Sequence, residues 1–74
     1  MVVKLIDLDF IKSRRLIFNL TLNDMAKEFG FKSPSTYLKY EKGVYSFKAE
    51  HLPILCKVLH CNMNDLFLEK MLLK

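Results

Sequence analysis

Glycine and proline are scarce in this 74-residue sequence, two of each, and that scarcity argues against disorder and leaves no glycine loop able to cradle a phosphate. Cysteine is equally thin. Cys56 and Cys61 do not form a CxxC, so neither a disulfide framework nor a zinc knuckle is supported, and reduced cytosolic thiols are the simpler reading. No long apolar run opens the chain: Lys4, Asp7 and Asp9 interrupt it, which predicts neither a signal peptide nor a membrane span. Repeats, linkers and low-complexity stretches are missing as well. Together these absences predict one soluble, cytoplasmic domain spanning residues 1–74.

What is present suits a small core. Hydrophobic residues make up 51% of the chain, with six Phe and three Tyr, although a chain this short buries only about 60% of its unfolded surface. The net charge is +4, a mild bias toward a polyanionic partner. Its distribution says more than its size. Lys27, Lys32, Lys39, Lys42 and Lys48 face only Glu28 and Glu41 in that stretch, so most of the excess charge falls mid-chain, where a phosphate backbone could meet it.

Periodicity predicts five short helices, an all-α fold. Val2–Ile6 is β-branched and apolar and reads as an extended arm (residues 1–7) or an edge strand. Asp7 or Asp9 caps a first helix running to Asn19, with Ile11, Arg15 and Phe18 recurring at helical spacing. Thr21 and Asp24 form a capping box for a second helix, Leu22–Phe29, which Gly30 ends. Ser33 as N-cap and Pro34 at the first helical position start a third helix, 34–42, stopped by Gly43. Tyr37, Tyr40 and Glu41 fall on one side of it, and Ser35, Thr36, Lys39 and Lys42 largely on the other. Helix four is predicted over 49–60 with Pro53 in its first turns, and helix five follows the pair Asn62 and Asp65.

Two helices joined by a glycine-containing turn, the second polar and basic, have the form that places a helix in the DNA major groove; an ordinary bundle with a solvated face is the alternative. Ile11-Lys12 with Arg15, Thr21 through Met25-Ala26, Gly30, residues 33–36, Tyr40-Glu41-Lys42-Gly43 and Leu52 to Leu59 before Asp65-Leu66-Phe67 resemble the Cro and cI repressor type of helix-turn-helix domain, the XRE family. The resemblance covers residues 9–67 and implies a compact five-helix, lambda-repressor-like DNA-binding domain with its helix-turn-helix at residues 21–43.

The resemblance also implies roles. Ala26 is small where two helices cross, and Arg15 and Glu41 form a partly buried charge pair of structural importance. Base readout falls to Ser33, Pro34, Ser35, Thr36, Leu38 and Lys39, of which Ser35 and Thr36 can donate or accept and Lys39 can reach guanine. Phosphates are held by Thr21, Leu22, Asn23, Lys32, Lys42 and Lys48. The chain departs from the family in three places. Leu22 stands where Gln is common, Pro34 and Leu38 occupy positions that often carry long polar readers, and one extra residue separates Gly30 from the third helix.

Other chemistry has little support. Cys56, His60 and Cys61 could share a metal, but Cys56 falls at a small core position; no metal and no cofactor are predicted. His51 beside Glu50 lacks a nucleophile, so the reading is not an enzyme. The partners expected are double-stranded DNA and a second copy of the chain, with no small-molecule effector evident. The apolar tail, 66–74, with Leu68, Met71, Leu72 and Leu73, is the expected dimer seam, unless it packs on its own core or the arm serves instead. The function expected is a small transcriptional repressor of phage, mobile-element or restriction-modification controller type. The alternative is an antirepressor-like or antitoxin-like interaction module of the same fold that reads few bases.

Overall fold

The structure, a computed structural model, describes residues 2–71, with side chains for 5–68. The chain enters as strand β1 (Val2–Ile6), whose β-branched residues favour extended backbone. It runs antiparallel to β2 (Phe67–Met71), with Leu5 opposite Leu68 and Ile6 opposite Phe67. The Asp7 amide, donating to the Leu66 carbonyl at 2.8 Å, closes the ladder at its inner end.

Four α-helices lie between the strands among the described residues: α1 (Leu8–Ile17), α2 (Leu22–Phe29), α3 (Pro34–Glu41) and α4 (Leu52–Leu59). Asp7 starts α1 by accepting from the Phe10 amide at 3.0 Å. The helix stops at Ile17, two residues short of the predicted end, as Asn19 turns left-handed (φ 55°) and the Leu20 amide reaches back to the Arg15 carbonyl at 2.9 Å. The predicted fourth helix is divided: Ala49–His51 is a 3-10 turn, and α4 begins at Leu52 with Pro53 in its first turn.

The five-helix, all-α expectation is corrected at the C-terminal end. Met63–Leu66 is a single 3-10 turn, and the residues after it are strand. Phe67-Leu68-Glu69-Lys70-Met71 contains good helix formers, but β1 presents a row of unpaired backbone groups that only an extended partner can satisfy. The fold is mostly helical with a minor two-stranded sheet joining its ends.

Ile11, Met25, Ala26, Tyr37, Leu55, Leu59 and Leu66 form the buried core, so every helix and the final 3-10 turn contribute to it. Within this apolar setting lies one bidentate ion pair. Arg15 Nε donates to Glu41 Oε2 at 2.9 Å and Nη2 to Oε1 at 3.0 Å, while Nη1 donates to the Leu20 carbonyl at 2.9 Å. Both residues are buried. The Tyr37 hydroxyl, one turn before Glu41, is also buried but makes no hydrogen bond among the described residues. Burial first, and the Glu41 carboxylate second, push its phenol far above the ordinary range, so it stays neutral.

Two stability predictions follow from these groups. Arg15→Met alone is expected to lower the unfolding free energy by about 3–5 kcal/mol, because Glu41 is left charged and buried, whereas Arg15→Met with Glu41→Leu recovers much of that loss in urea denaturation. Tyr37→Phe removes an unsatisfied hydroxyl and is expected to leave stability unchanged or raise it by up to about 1 kcal/mol in the same measurement.

Candidate nucleic-acid interface

The site is built from α2, the turn after it and α3. Thr21 and Asp24 cap α2 reciprocally: the Asp24 amide donates to Thr21 Oγ1 at 3.0 Å and the Thr21 amide to Asp24 Oδ2 at 2.8 Å. The Thr21 amide, and then its hydroxyl, hold the Asp24 carboxyl below the usual carboxylate range. Two amides of the helix start are thereby consumed, and those of Leu22 and Asn23 have no partner among the described residues. Thr21 and Asn23 are exposed and Leu22 is half-buried.

Gly30 ends α2 in the left-handed region (φ 75°), and the Phe31 amide donates to the Ala26 carbonyl at 2.8 Å, a wrap that turns the chain sharply toward α3. Ala26 is 2% exposed; with only a methyl group at this point, α2 and α3 can cross closely.

At the start of α3 the structure corrects one detail. Ser33 occupies the N-cap position with extended backbone, but its hydroxyl makes no capping bond. It instead shares hydrogen bonds with Ser35 Oγ at 2.9 Å and Thr36 Oγ1 at 3.2 Å. Pro34 follows at the first helical position and contributes no amide donor. Along α3, Pro34, Ser35 and Lys39 are exposed, and Ser33 and Thr36 are half-buried. Leu38 is also half-buried, on the wall of a groove of about 550 Å³ between α1 and α3 that includes Leu8, Lys12 and Lys42. Lys32, Lys42 and Lys48 are exposed around the same helix.

The opposite face of α3 rests on aromatic rings. Phe31 stacks on Tyr40 with centroids 5.1 Å apart, and Tyr37 and Tyr40 also meet Phe29 and Phe47. His51 closes this cluster, edge-on to Tyr40 at 5.2 Å, with Nδ1 accepting from the Lys48 amide at 3.0 Å. These contacts give His51 a structural place in the cluster. Burial, opposed in part by Glu50, lowers its imidazole below the ordinary value.

Among the described residues the remaining sequence candidates do not form a second site. Cys56 and Cys61 are free thiols, and burial pushes the Cys61 thiol up. Among the described residues no three His, Cys, Asp or Glu side chains converge as metal ligands would. Leu68 is exposed in β2 and Met71 ends that strand, while Leu72 and Leu73 lie outside the described residues. No helix of the described residues is long and apolar enough to cross a membrane.

Three residues have roles in the fold or beside the site that gave no readable signal in the sequence. Arg14 donates from Nη2 to the Leu59 and His60 carbonyls at 2.9 and 2.8 Å, capping α4 across the fold. His51 is the second. Tyr45 is the third: its ring lies 5.4 Å from Lys39 Nζ.

A polar, cationic helix presented on a tight α2–turn–α3 frame defines a helix-turn-helix protein. The helix-turn-helix family model matches residues 11–66, and the chain belongs to this family, in its XRE type. The family is one of DNA-binding regulators. No curated protein and no solved structure gives a significant match to the chain.

The lowered His51 imidazole sets a pH dependence. Unfolded chains take up the proton at the ordinary value near about 6.5 while the folded chain resists it, so stability is fully present above that value and is lost as pH falls through the folded one. Thermal unfolding followed from about pH 7.5 down to about pH 5 is expected to show a falling Tm, with a shallower fall in His51→Phe.

Proposed function

We propose that this chain binds double-stranded DNA sequence-specifically as a homodimer and acts as a small transcriptional repressor in the cytoplasm, of phage, mobile-element or restriction-modification controller type. The carrying observation is the outward face of α3: Ser35 and Lys39 stand exposed, with Lys32, Lys42 and Lys48 exposed around them, while the inward face is held by Tyr37 and Glu41. A helix so presented has donors for base edges and cations for phosphates.

The reading unit is residues 21–43. Ser33, Pro34, Ser35, Thr36, Leu38 and Lys39 face bases, with Pro34 and Leu38 offering apolar contact to thymine methyls. Thr21, Lys32, Lys42, Lys48 and the free amides of Leu22 and Asn23 meet phosphates. One such unit spans too few base pairs for a unique site, so two copies bind half-sites about 34–36 Å apart. The dimer seam is the tail, 66–74, with Leu68, Met71, Leu72 and Leu73, beside the arm at 1–7. Leu5 and Leu68, paired across the sheet, are both nearly half exposed, which supports a covering copy there.

Selection of bound duplexes from a random pool tests the reading, and two-fold symmetric sites are the expected product. Lys39→Ala is expected to lose about 1–3 kcal/mol on the selected duplex and little on random DNA. Replacing Lys42 or Lys48 with Ala is expected to weaken both alike and reduce the salt slope by about 0.9 each. Equal affinity for selected and random duplexes would instead favour the interaction-module reading, to which Leu22, Pro34 and Leu38 are suited.

A further inference from the structure

The loop after α3 is folded back on the helix it leaves. Gly43 takes a left-handed turn (φ 86°), its amide donating to the Tyr40 carbonyl at 3.1 Å. The next two amides, of Val44 and Tyr45, both donate to the Lys39 carbonyl, at 2.9 and 3.2 Å. These two hydrogen bonds to one carbonyl oxygen tie residue 45 to residue 39. The Tyr45 ring is set edge-on against Tyr40, centroids 5.4 Å apart and planes at 72°, and the Lys39 ammonium lies 5.4 Å from its centroid. Tyr45 is 44% exposed and Val44 67%, so neither is committed to the core.

The ring is backed by Tyr40 and lies beside a shallow cleft shared with Leu5, Ile6 and Leu8, yet it remains half exposed and meets a lysine of the outward face. We infer that Tyr45 is a positioning residue for DNA reading, holding the Lys39 ammonium in the one direction from which it meets guanine acceptors. The inference rests on the proposed function, because it gives Lys39 the base-reading part. An ammonium has three donors, so the face turned to the ring leaves others free for O6 and N7. A free lysine loses much rotamer freedom when it is fixed against a base. A ring that already restrains the side chain removes part of that loss before DNA arrives. The same loop carries Lys48 three residues on, so phosphate contact and base reading are coupled through one short segment.

Tyr45→Leu keeps apolar bulk and removes the ring face; Tyr45→Phe keeps the face and removes the hydroxyl. On the selected duplex Tyr45→Leu is expected to weaken binding about two- to fivefold, with little change on random DNA, and Tyr45→Phe to behave as the parent chain. In the Lys39→Ala background Tyr45→Leu should have no further effect. Without DNA, the Lys39 side-chain proton resonances should show a ring-current shift that Tyr45→Leu abolishes and Tyr45→Phe retains, with thermal unfolding checking that each variant is folded. The inference is overturned by a Tyr45→Leu chain that binds the selected duplex as the parent does, by equal losses on selected and random DNA, by a loss that persists without Lys39, or by a Phe variant as weak as Leu. Should Lys39→Ala itself leave binding untouched while the ring-current shift is present, the base-reading assignment of Lys39 fails and the contact between the two side chains stands.

Discussion

One guanidinium holds three parts of this fold at fixed distances. Arg15 reaches the carboxylate of Glu41, at the end of α3, with two hydrogen bonds, and the carbonyl of Leu20, in the link between α1 and α2, with a third. A planar fork can satisfy that arrangement in only one orientation, which an ammonium on a flexible stem could not impose. Removing two charges from water is costly, so the pair is a weak source of net stability. Its value lies in angle. With α1, the α1–α2 link and the last residue of α3 tied to one planar group, α3 cannot tilt without breaking a buried charge contact.

The same logic extends to the other supports of α3. Ala26 and Gly30 let α2 approach and then turn away quickly, Tyr37 plugs the core, and the ring cluster of Phe29, Phe31, Tyr40, Phe47 and His51 underlies the C-terminal half of the helix. These contacts differ in kind: ionic, apolar and aromatic. They share a direction, all lying on the inward side of an eight-residue helix too short to be stable in isolation. The outward side is left free of these supports, and apart from Pro34 and the half-buried Leu38 its residues are small and polar or cationic.

Where structure depends on neighbours in sequence, it was legible there. Thr21 with Asp24, Gly30, Pro34 and Gly43 are local signals, and α2 has the bounds they predict, while α3 stops within a residue of them. The largest misreadings come from partners distant in sequence. Residues 67–71 would suit a helix on propensity, but their partner is β1, more than sixty positions away, and that edge decides their conformation. Arg14 could not be assigned to the end of α4, nor His51 to an aromatic cluster, since both partnerships exist only after the helices pack. Of the proposed interface, the sequence suggested the α3 residues and the lysines around it, and the structure leaves Ser35, Lys39, Lys32, Lys42 and Lys48 exposed. The sequence did not suggest Tyr45, because its relation to Lys39 is created by a backbone turn that carries no motif beyond a single glycine.

The start of α3 shows how this face limits recognition. Pro34 removes one amide that an anion could have used, and the Ser33 hydroxyl is shared with Ser35 and Thr36, so three small polar side chains form a network with one another before any DNA is present. Hydroxyls in such a network exchange partners at little net gain when they meet base edges. If the proposed reading face meets DNA, little discrimination is available from the N-terminal half of the helix, and apolar contact through Pro34 would distinguish bases only by the thymine methyl. Under the proposed function the weight of sequence reading would shift to the single long cationic side chain further along, Lys39, and a single flexible lysine discriminates well only if its direction is fixed. In a helix with so few readers, the rigidity behind them matters as much as their chemistry.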